Sequence, residues 1–154
     1  MTSKEKIENF EKISYIVPFS DKDDNKAPIT SIAVPPDAKC IDLKFHVGLV
    51  GLKPNYSYQF KIFVIPIDIS VQAGESKTFI DPLAEAYSVR MTTPLVNGKY
   101  LEGEFDVDMD EIPLTACGIY QVNSFLYDFD LNDNEIEIHS LSTFFVIKSK
   151  QNEE

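Results

Sequence analysis

Apolar and polar residues alternate along most of this 154-residue chain. The clearest example is the run 40–50, whose apolar residues occupy every second position: Ile41, Leu43, Phe45 and Val47. A period of two is the pattern of a half-buried β-strand. Similar apolar runs begin near residues 13, 29, 59, 87, 99, 119 and 136, and Pro, Gly, Asn and Asp separate them. The sequence therefore predicts an all-β fold, a single antiparallel β-sandwich of about seven to nine strands.

The first residues of the chain depart from this pattern. Thr2 and Glu5 have the spacing of a helix capping box, and Ile7 and Phe10 lie about one helical turn apart. We therefore predict a short N-terminal helix before the first strand.

The composition fits one globular domain, because 44% of the residues are hydrophobic and no stretch is of low complexity. We expect residues 1–154 to form this domain, with loosely ordered ends at 1–12 and 149–154. No apolar run approaches the roughly 18 residues that cross a bilayer, and the charged segment 1–11 lacks the apolar core of a signal peptide. We expect a cytoplasmic protein with no membrane partner.

Two short motifs resemble those of immunoglobulin-like sandwiches. Leu52, Pro54 and Tyr58 have the spacing of the tyrosine corner of fibronectin type III domains. Gly118 and Tyr120 resemble the Gly-x-Tyr of immunoglobulin-like strands. The first resemblance implies that the Tyr58 ring fills an edge of the sandwich and that its hydroxyl bonds to nearby backbone. Both imply an architecture, and neither implies a function.

The acidic charge of the chain is concentrated in one segment. Between Lys99 and Lys148 there is no lysine or arginine, yet this segment holds eleven carboxylates and accounts for the whole formal charge of −11. Five of these acids fall at every second position: Glu102, Glu104, Asp106, Asp108 and Asp110. In an extended strand they share one face, and the apolar residues between them share the other. We call these five residues the acidic ladder.

A β-hairpin is predicted around the start of this ladder. The runs 87–93 and 99–109 flank Val96-Asn97-Gly98, which is a strong turn signal. A plain two-residue turn would place the ladder on the apolar face of the partner strand, so we predict a three-residue loop with Gly98 in a bulge. In that register Arg90 lies opposite Glu104 and is the single cation beside the ladder.

The ladder predicts a basic protein as the partner. A sequence pI of about 4.5 argues against direct binding of nucleic acid, because phosphate binding requires clustered Lys and Arg. Ladder neighbours lie about 7 Å apart in a strand, close to the spacing of phosphates along nucleic acid. We therefore predict a non-enzymatic interaction protein whose ladder binds a basic protein surface. In the more specific form of this hypothesis, the partner is a nucleic-acid-binding protein, and the ladder inhibits it by mimicking nucleic acid, as some phage and mobile-element proteins do. Asp128 and Asp130 join this site if their turn lies beside the ladder.

Two other functions compete with this hypothesis. In the first, the chain is a structural or assembly module that uses an apolar patch, and the acids only keep it soluble and protect a sheet edge. In the second, it binds calcium, because Asp128, Asp130 and Asn132 stand at positions 1, 3 and 5 of a calcium-loop pattern. That pattern is incomplete, since Asp133 replaces its glycine and His139 its bidentate glutamate. A turn between two strands explains the same residues.

Catalytic chemistry is poorly represented in the sequence. His46 and His139 are the only side chains whose ordinary pKa lies near neutrality. Cys40 shares a strand face with His46 but lies six residues away, about 20 Å along a strand, so the two cannot act as a nucleophile and base. The chain has no phosphate-binding glycine loop, nucleophile elbow or His/Cys metal cluster. We predict no enzymatic activity, no cofactor and no disulfide between Cys40 and Cys117.

Overall fold

The computed structural model describes residues 10–19, 28–71, 75–77, 87–114 and 117–149. Within these ranges it has nine strands and no helix. The strands are β1 (Lys12–Pro18), β2 (Ser31–Val34), β3 (Cys40–Leu52), β4 (Ser57–Val71), β5 (Glu75–Lys77), β6 (Tyr87–Thr92), β7 (Leu101–Pro113), β8 (Cys117–Phe129) and β9 (Glu135–Ser149). The predicted all-β fold is confirmed. The predicted N-terminal helix falls mainly on residues that lie outside the described ranges.

The strands form two sheets that face each other. The three-stranded sheet has the order β1-β3-β7, and the six-stranded sheet has the order β2-β9-β8-β4-β5, with β6 also paired to β4. The described strand pairs are antiparallel except β2 and β9, which run parallel at one edge of the larger sheet. Because β4 is fifteen residues long, β6 pairs with its first half and β5 with its end.

The core lies between the sheets and contains the inward residues of every long strand. Phe45 of β3 and Phe60 of β4 are fully buried, as the two-residue alternation predicts. Phe45 contacts Phe145 of the opposite sheet with ring centroids 6.4 Å apart, and Phe60 contacts Phe105 at 5.4 Å. These aromatic contacts fix the two sheets relative to each other.

The tyrosine corner closes one end of the sandwich. The Tyr58 hydroxyl accepts a hydrogen bond from the Lys53 backbone N–H at 2.9 Å, which confirms the bond predicted from the motif. It also donates to the buried carboxylate of Glu11 at 2.8 Å. Gly51 precedes the corner with φ +75°, and a Cβ there would lie 1.9 Å from the Phe10 carbonyl oxygen. The turn therefore requires glycine at this position.

The hairpin predicted for residues 87–109 is wrong. β6 pairs with β4 in the six-stranded sheet, whereas β7 pairs with β3 in the other sheet. Pro94 has no backbone N–H and ends β6, and the Thr93 hydroxyl donates to the Lys53 carbonyl at 2.6 Å. This anchor directs the chain across the open side of the sandwich. Arg90 therefore lies opposite Gln59 in the six-stranded sheet, whereas Glu104 belongs to the three-stranded sheet.

Candidate functional site

The acidic ladder lies on the outer face of β7, as predicted. All five carboxylate residues are exposed, while Val107 and Met109 between them are buried in the core. Among the described residues β7 pairs only with β3, so the ladder follows a free edge of the three-stranded sheet. Charged side chains on such an edge prevent edge-to-edge pairing, which is the simplest role for them.

Within the described ranges, β3 contributes one cation and one imidazole that contact the ladder. Lys44 lies opposite Asp108 in the strand register, and its Nζ is 3.0 Å from the Asp108 carboxylate. His46 lies opposite Asp106, with 2.6 Å between its Nδ1 and the Asp106 carboxylate. These contacts replace the predicted contact with Arg90, whose guanidinium is instead 3.8 Å from Asp133 on the other sheet.

The His46 ring is held between several groups. Its Nε2 is 3.6 Å from the Glu104 carboxylate, so its two nitrogens face two different ladder residues. The rings of Tyr15 and Phe19 lie beside it, with centroids 5.5 Å and 6.2 Å away. A single metal ion could not use both nitrogens, and no group of three or more His, Cys, Asp or Glu within the described ranges is arranged to hold one. The contacts of His46 thus position the carboxylates.

A shallow depression of about 420 Å³ adjoins the start of the ladder. The Tyr15 ring lies directly over Gly48. A Cβ at Gly48 would be 2.3 Å from this ring, so the ring can occupy this position only because residue 48 has no side chain. Glu102, Glu104 and Val50 complete the walls. Burial, and after it the hydrogen bond to Glu104, raises the pKa of the Tyr15 hydroxyl. An aromatic ring and two carboxylates around an apolar floor suit a long cationic side chain.

The two ends of the ladder carry the least compensated charge. Glu102 and Asp110 are exposed and, within the described ranges, form no ion pair. Beyond Asp110 the strand turns, because Glu111 has φ 56° and its N–H donates to the Asp42 carboxylate at 2.8 Å. Asp42 thereby adds another negative charge next to the ladder on the same sheet.

Asp128 and Asp130 belong to the six-stranded sheet and stabilise a turn. Asp128 accepts a hydrogen bond from the Tyr56 hydroxyl at 3.0 Å. One oxygen of Asp130 accepts the N–H groups of Asn132 and Asn134 at 2.8 Å and 2.9 Å, and the bond from Asn134 contributes most to lowering the pKa of this carboxyl. Asp133 has φ 66°, a conformation that Asp tolerates, so the missing glycine does not disrupt the turn. The loop thus has the hydrogen bonding of a hairpin turn.

Sequence reasoning missed two residues that join the sheets. Glu11 is 1% exposed and bonds Tyr58, although the charged N-terminal sequence gave no sign of burial. His139 Nδ1 accepts the backbone N–H of Ile13 at 2.9 Å and so connects β9 to β1. Burial, together with the nearby charge of Lys12, lowers the pKa of His139. The register of β9 is unbroken from Ile147 to His139, so alternation from the buried Phe145 and Ile147 places His139 on the inward face. A bulge between His139 and Glu137 then separates it from the exposed acids before it.

Comparison with known proteins supports the fold and gives no family. No family model and no curated protein matches the chain. Among solved structures, the chain is similar to a bacterial adhesin from Mobiluncus mulieris that contains intramolecular disulfide, isopeptide and ester bond cross-links. The TM-score is 0.53 at 11% identity, and the match covers 91% of this chain. It covers only 57% of the adhesin chain.

The fold and the comparison define the class of this protein. It is an all-β sandwich of generally immunoglobulin-like architecture, with a charged three-stranded sheet and a larger six-stranded sheet. Within the described residues, no helix has the length and apolar character that a membrane crossing requires. Cys40 and Cys117 are both free thiols.

Proposed function

We propose that this chain is a non-enzymatic interaction module and that its acidic ladder binds a basic surface of a protein partner. The observation that carries this proposal is a row of five exposed carboxylates on one sheet edge, where Lys44 and His46 are the contacting groups that the described part of β3 contributes. The chain has a net charge of −11, so this face attracts cationic surfaces.

The energetics of the ladder are compatible with such a role. Two carboxylates about 7 Å apart repel by about 0.6 kcal/mol in water before salt screening. The ion pair of Lys44 with Asp108 offsets part of this repulsion in the middle of the ladder, whereas Glu102 and Asp110 have no ion pair with any described residue. A basic partner would relieve the remaining repulsion, and its association would be accelerated at low salt.

The geometry favours a partner with an extended row of basic residues. Five positions at two-residue spacing span about 27 Å along a strand, which is about the length of a nucleic-acid strand that carries several successive phosphates. The partner class proposed is therefore a nucleic-acid-binding protein whose groove accepts the ladder in place of its usual ligand. The depression beside Tyr15 adds a place for one Lys or Arg side chain of that partner.

Charge reversal at the least compensated positions tests this proposal. The ladder variant carries Glu102→Lys and Asp110→Lys, which spares the contacts of Glu104, Asp106 and Asp108 with β3. The matched control carries Asp37→Lys and Glu137→Lys, two exposed acids outside the ladder. Both variants change the net charge from −11 to −7, so a difference between them reports position and not total charge.

The measurement is capture of proteins from a cell lysate at about 0.05 M and about 0.5 M salt. We expect the wild type and the control to retain a basic protein at low salt and to release most of it at high salt. The ladder variant should not retain it. Equal retention by both variants would contradict the proposal.

A second candidate function is favoured by one specific observation. The outer face of the six-stranded sheet carries apolar side chains, among them Phe144, which is 51% exposed, and Ile119, which is 38% exposed. A structural or assembly module would use such a face, and its association would not weaken with salt.

A further inference from the structure

A narrow cleft of about 210 Å³ opens between the two sheets beside the first residues of β7. We call it the edge cleft, and its apolar lining comes from both sheets: Leu49, Leu52, Met91, Leu101, Gly103 and Phe105. The two leucines of β3 are buried, whereas the apolar side chains that β6 and β7 contribute are only partly buried. The apolar interior of the sandwich is therefore accessible from this side.

Gly103 explains why the edge cleft is open. It lies opposite Leu49 in the β3–β7 register, and residues directly opposite each other in an antiparallel pair share a face of the sheet. Position 103 therefore faces the interior, as Val107 and Met109 do further along β7, where both side chains are buried. A Cβ built at Gly103 would meet no atom within 4 Å. The start of β7 thus leaves space where a side chain from another molecule fits.

The same part of β7 has a free edge and an acidic border. Among the described residues β7 pairs only with β3, so its other edge presents backbone N–H and C=O groups to which no described strand is paired. Glu102 and Glu104 are exposed and border the edge cleft. An extended peptide that adds to such an edge gains main-chain hydrogen bonds, and its alternate side chains enter the pockets beside the edge.

We propose that the basic partner adds one extended strand to the edge of β7 at residues 101–105. An apolar side chain of this strand enters the edge cleft, and the Lys or Arg residues on either side of it lie beside Glu102 and Glu104. This inference rests on the proposal that the ladder binds a basic protein, and it names the element of the partner that makes the contact.

Charge complementarity selects this occupant. Side chains alternate along a strand, so an added strand presents one set of side chains to the carboxylates and the other set to the edge cleft. Opposite charges across two strands stabilise their pairing, and like charges destabilise it. The β7 edge of a second copy would place carboxylates beside Glu102 and Glu104. A strand that alternates basic and neutral residues matches both the charge and the cleft.

The edge cleft has room for one large apolar side chain. A cavity of about 150 Å³ binds a group of the size of benzene, so about 210 Å³ accommodates the side chain of Leu or Phe. Burial of such a side chain strengthens binding by about tenfold or more. Filling the cleft from within the chain should remove this contribution.

NMR titration of the isotope-labelled chain with a synthetic peptide tests this proposal. The probe is acetyl-Lys-Thr-Lys-Phe-Lys-Thr-Lys-amide, in which basic and neutral residues alternate. We expect the amide resonances of residues 91–93 and 101–105 to shift, and we expect binding to weaken as salt rises. Gly103→Leu fills the edge cleft and should weaken binding by at least about tenfold. Gly98→Leu is the matched control, because Gly98 also has open space around it and lies outside the cleft.

Two N-methylated forms of the peptide test strand addition itself. One form carries the methyl groups on its lysines, and the other carries them on its neutral residues. The N–H groups of successive residues point to opposite edges of a strand, so only one of the two sets faces β7. We expect one form to bind at least about tenfold more weakly and the other to bind like the unmodified peptide. Binding by charge alone would leave the two forms equal.

Three results would overturn strand addition: no binding of the peptide to the wild type at about 1 mM, equal binding by Gly103→Leu and Gly98→Leu, and equal binding of the two methylated peptides. Urea unfolding establishes that both variants are folded, and if Gly103→Leu does not fold, Gly103→Val and Gly98→Val replace the pair. The two proposals fail separately. A captured partner that the ladder variant loses and Gly103→Leu retains would contradict strand addition and support the basic-partner proposal.

Discussion

Replacing Tyr58 by phenylalanine should destabilise the fold more than any other loss of a single hydroxyl that we consider. The Tyr58 hydroxyl makes two bonds at once, since it accepts the Lys53 N–H and donates to the Glu11 carboxylate. Tyr58 is fully buried, and burial raises the pKa of its hydroxyl, so the group is a neutral donor at all ordinary pH values. The Nζ of Lys53 lies 3.7 Å from the Glu11 carboxylate.

The cost follows from the two bonds lost. A hydrogen bond to a charged group contributes about 1.5–3 kcal/mol, and a buried donor left without an acceptor costs about 1–3 kcal/mol. Because these contributions overlap and the structure relaxes, we expect the free energy of unfolding to fall by about 2–4 kcal/mol. For a domain of this size, this corresponds to a melting temperature lower by about 4–16 °C. A total stability of about 5–15 kcal/mol would allow the variant to fold.

Tyr56→Phe is the matched control for this prediction. The Tyr56 hydroxyl donates a hydrogen bond to Asp128 at 3.0 Å, and Tyr56 is only partly buried. Its loss should cost about 0.5–1.5 kcal/mol. Urea unfolding of the wild type and both variants measures the difference through the transition midpoint at constant slope. Equal losses in the two variants would refute the argument that the tyrosine corner and Glu11 act together.

Three further predictions concern single residues. The pKa of His139 is lowered in the folded chain, so the unfolded chain binds protons more readily and the free energy of unfolding should fall as pH drops below about 6.5. In His139→Gln, the free energy of unfolding measured in urea should change less between about pH 7 and pH 5. Gly48→Ala should cost about 1–3 kcal/mol because its Cβ meets the Tyr15 ring, whereas Gly103→Ala, with open space around it, should change stability by less than about 0.5 kcal/mol in the same assay. Because backbone N–H groups already occupy one oxygen of Asp130, millimolar calcium should leave the melting temperature unchanged, and a rise of several degrees would contradict this account.

The strands and the tyrosine corner were predictable because their signals are local. Alternation at Leu43, Phe45 and Val47 specifies which side chains face a core, whatever strand lies beside them. The spacing of Pro54 and Tyr58 specifies a turn followed by an inward tyrosine. The same locality explains why the ladder was correctly placed on an exposed face.

Strand pairing was not predictable in the same way. Asn97-Gly98 is a hairpin signal, but the Pro94 that ends β6 and the Thr93 hydroxyl that anchors the chain to Lys53 outweigh it. Which strand lies beside the ladder depends on contacts between residues about sixty positions apart, such as Lys44 and Asp108. The sequence does not encode such contacts as a local pattern, so the countercharges of the ladder were misassigned to Arg90.

The most direct test of the central claim is the affinity of a captured basic partner for the ladder variant, the control variant and the wild type. We predict that the control binds within about threefold of the wild type and that the ladder variant binds at least about a hundredfold more weakly at low salt, with this difference shrinking as salt rises. A ladder variant that binds as tightly as the control, or an affinity independent of salt, would contradict an acidic ladder that functions in binding.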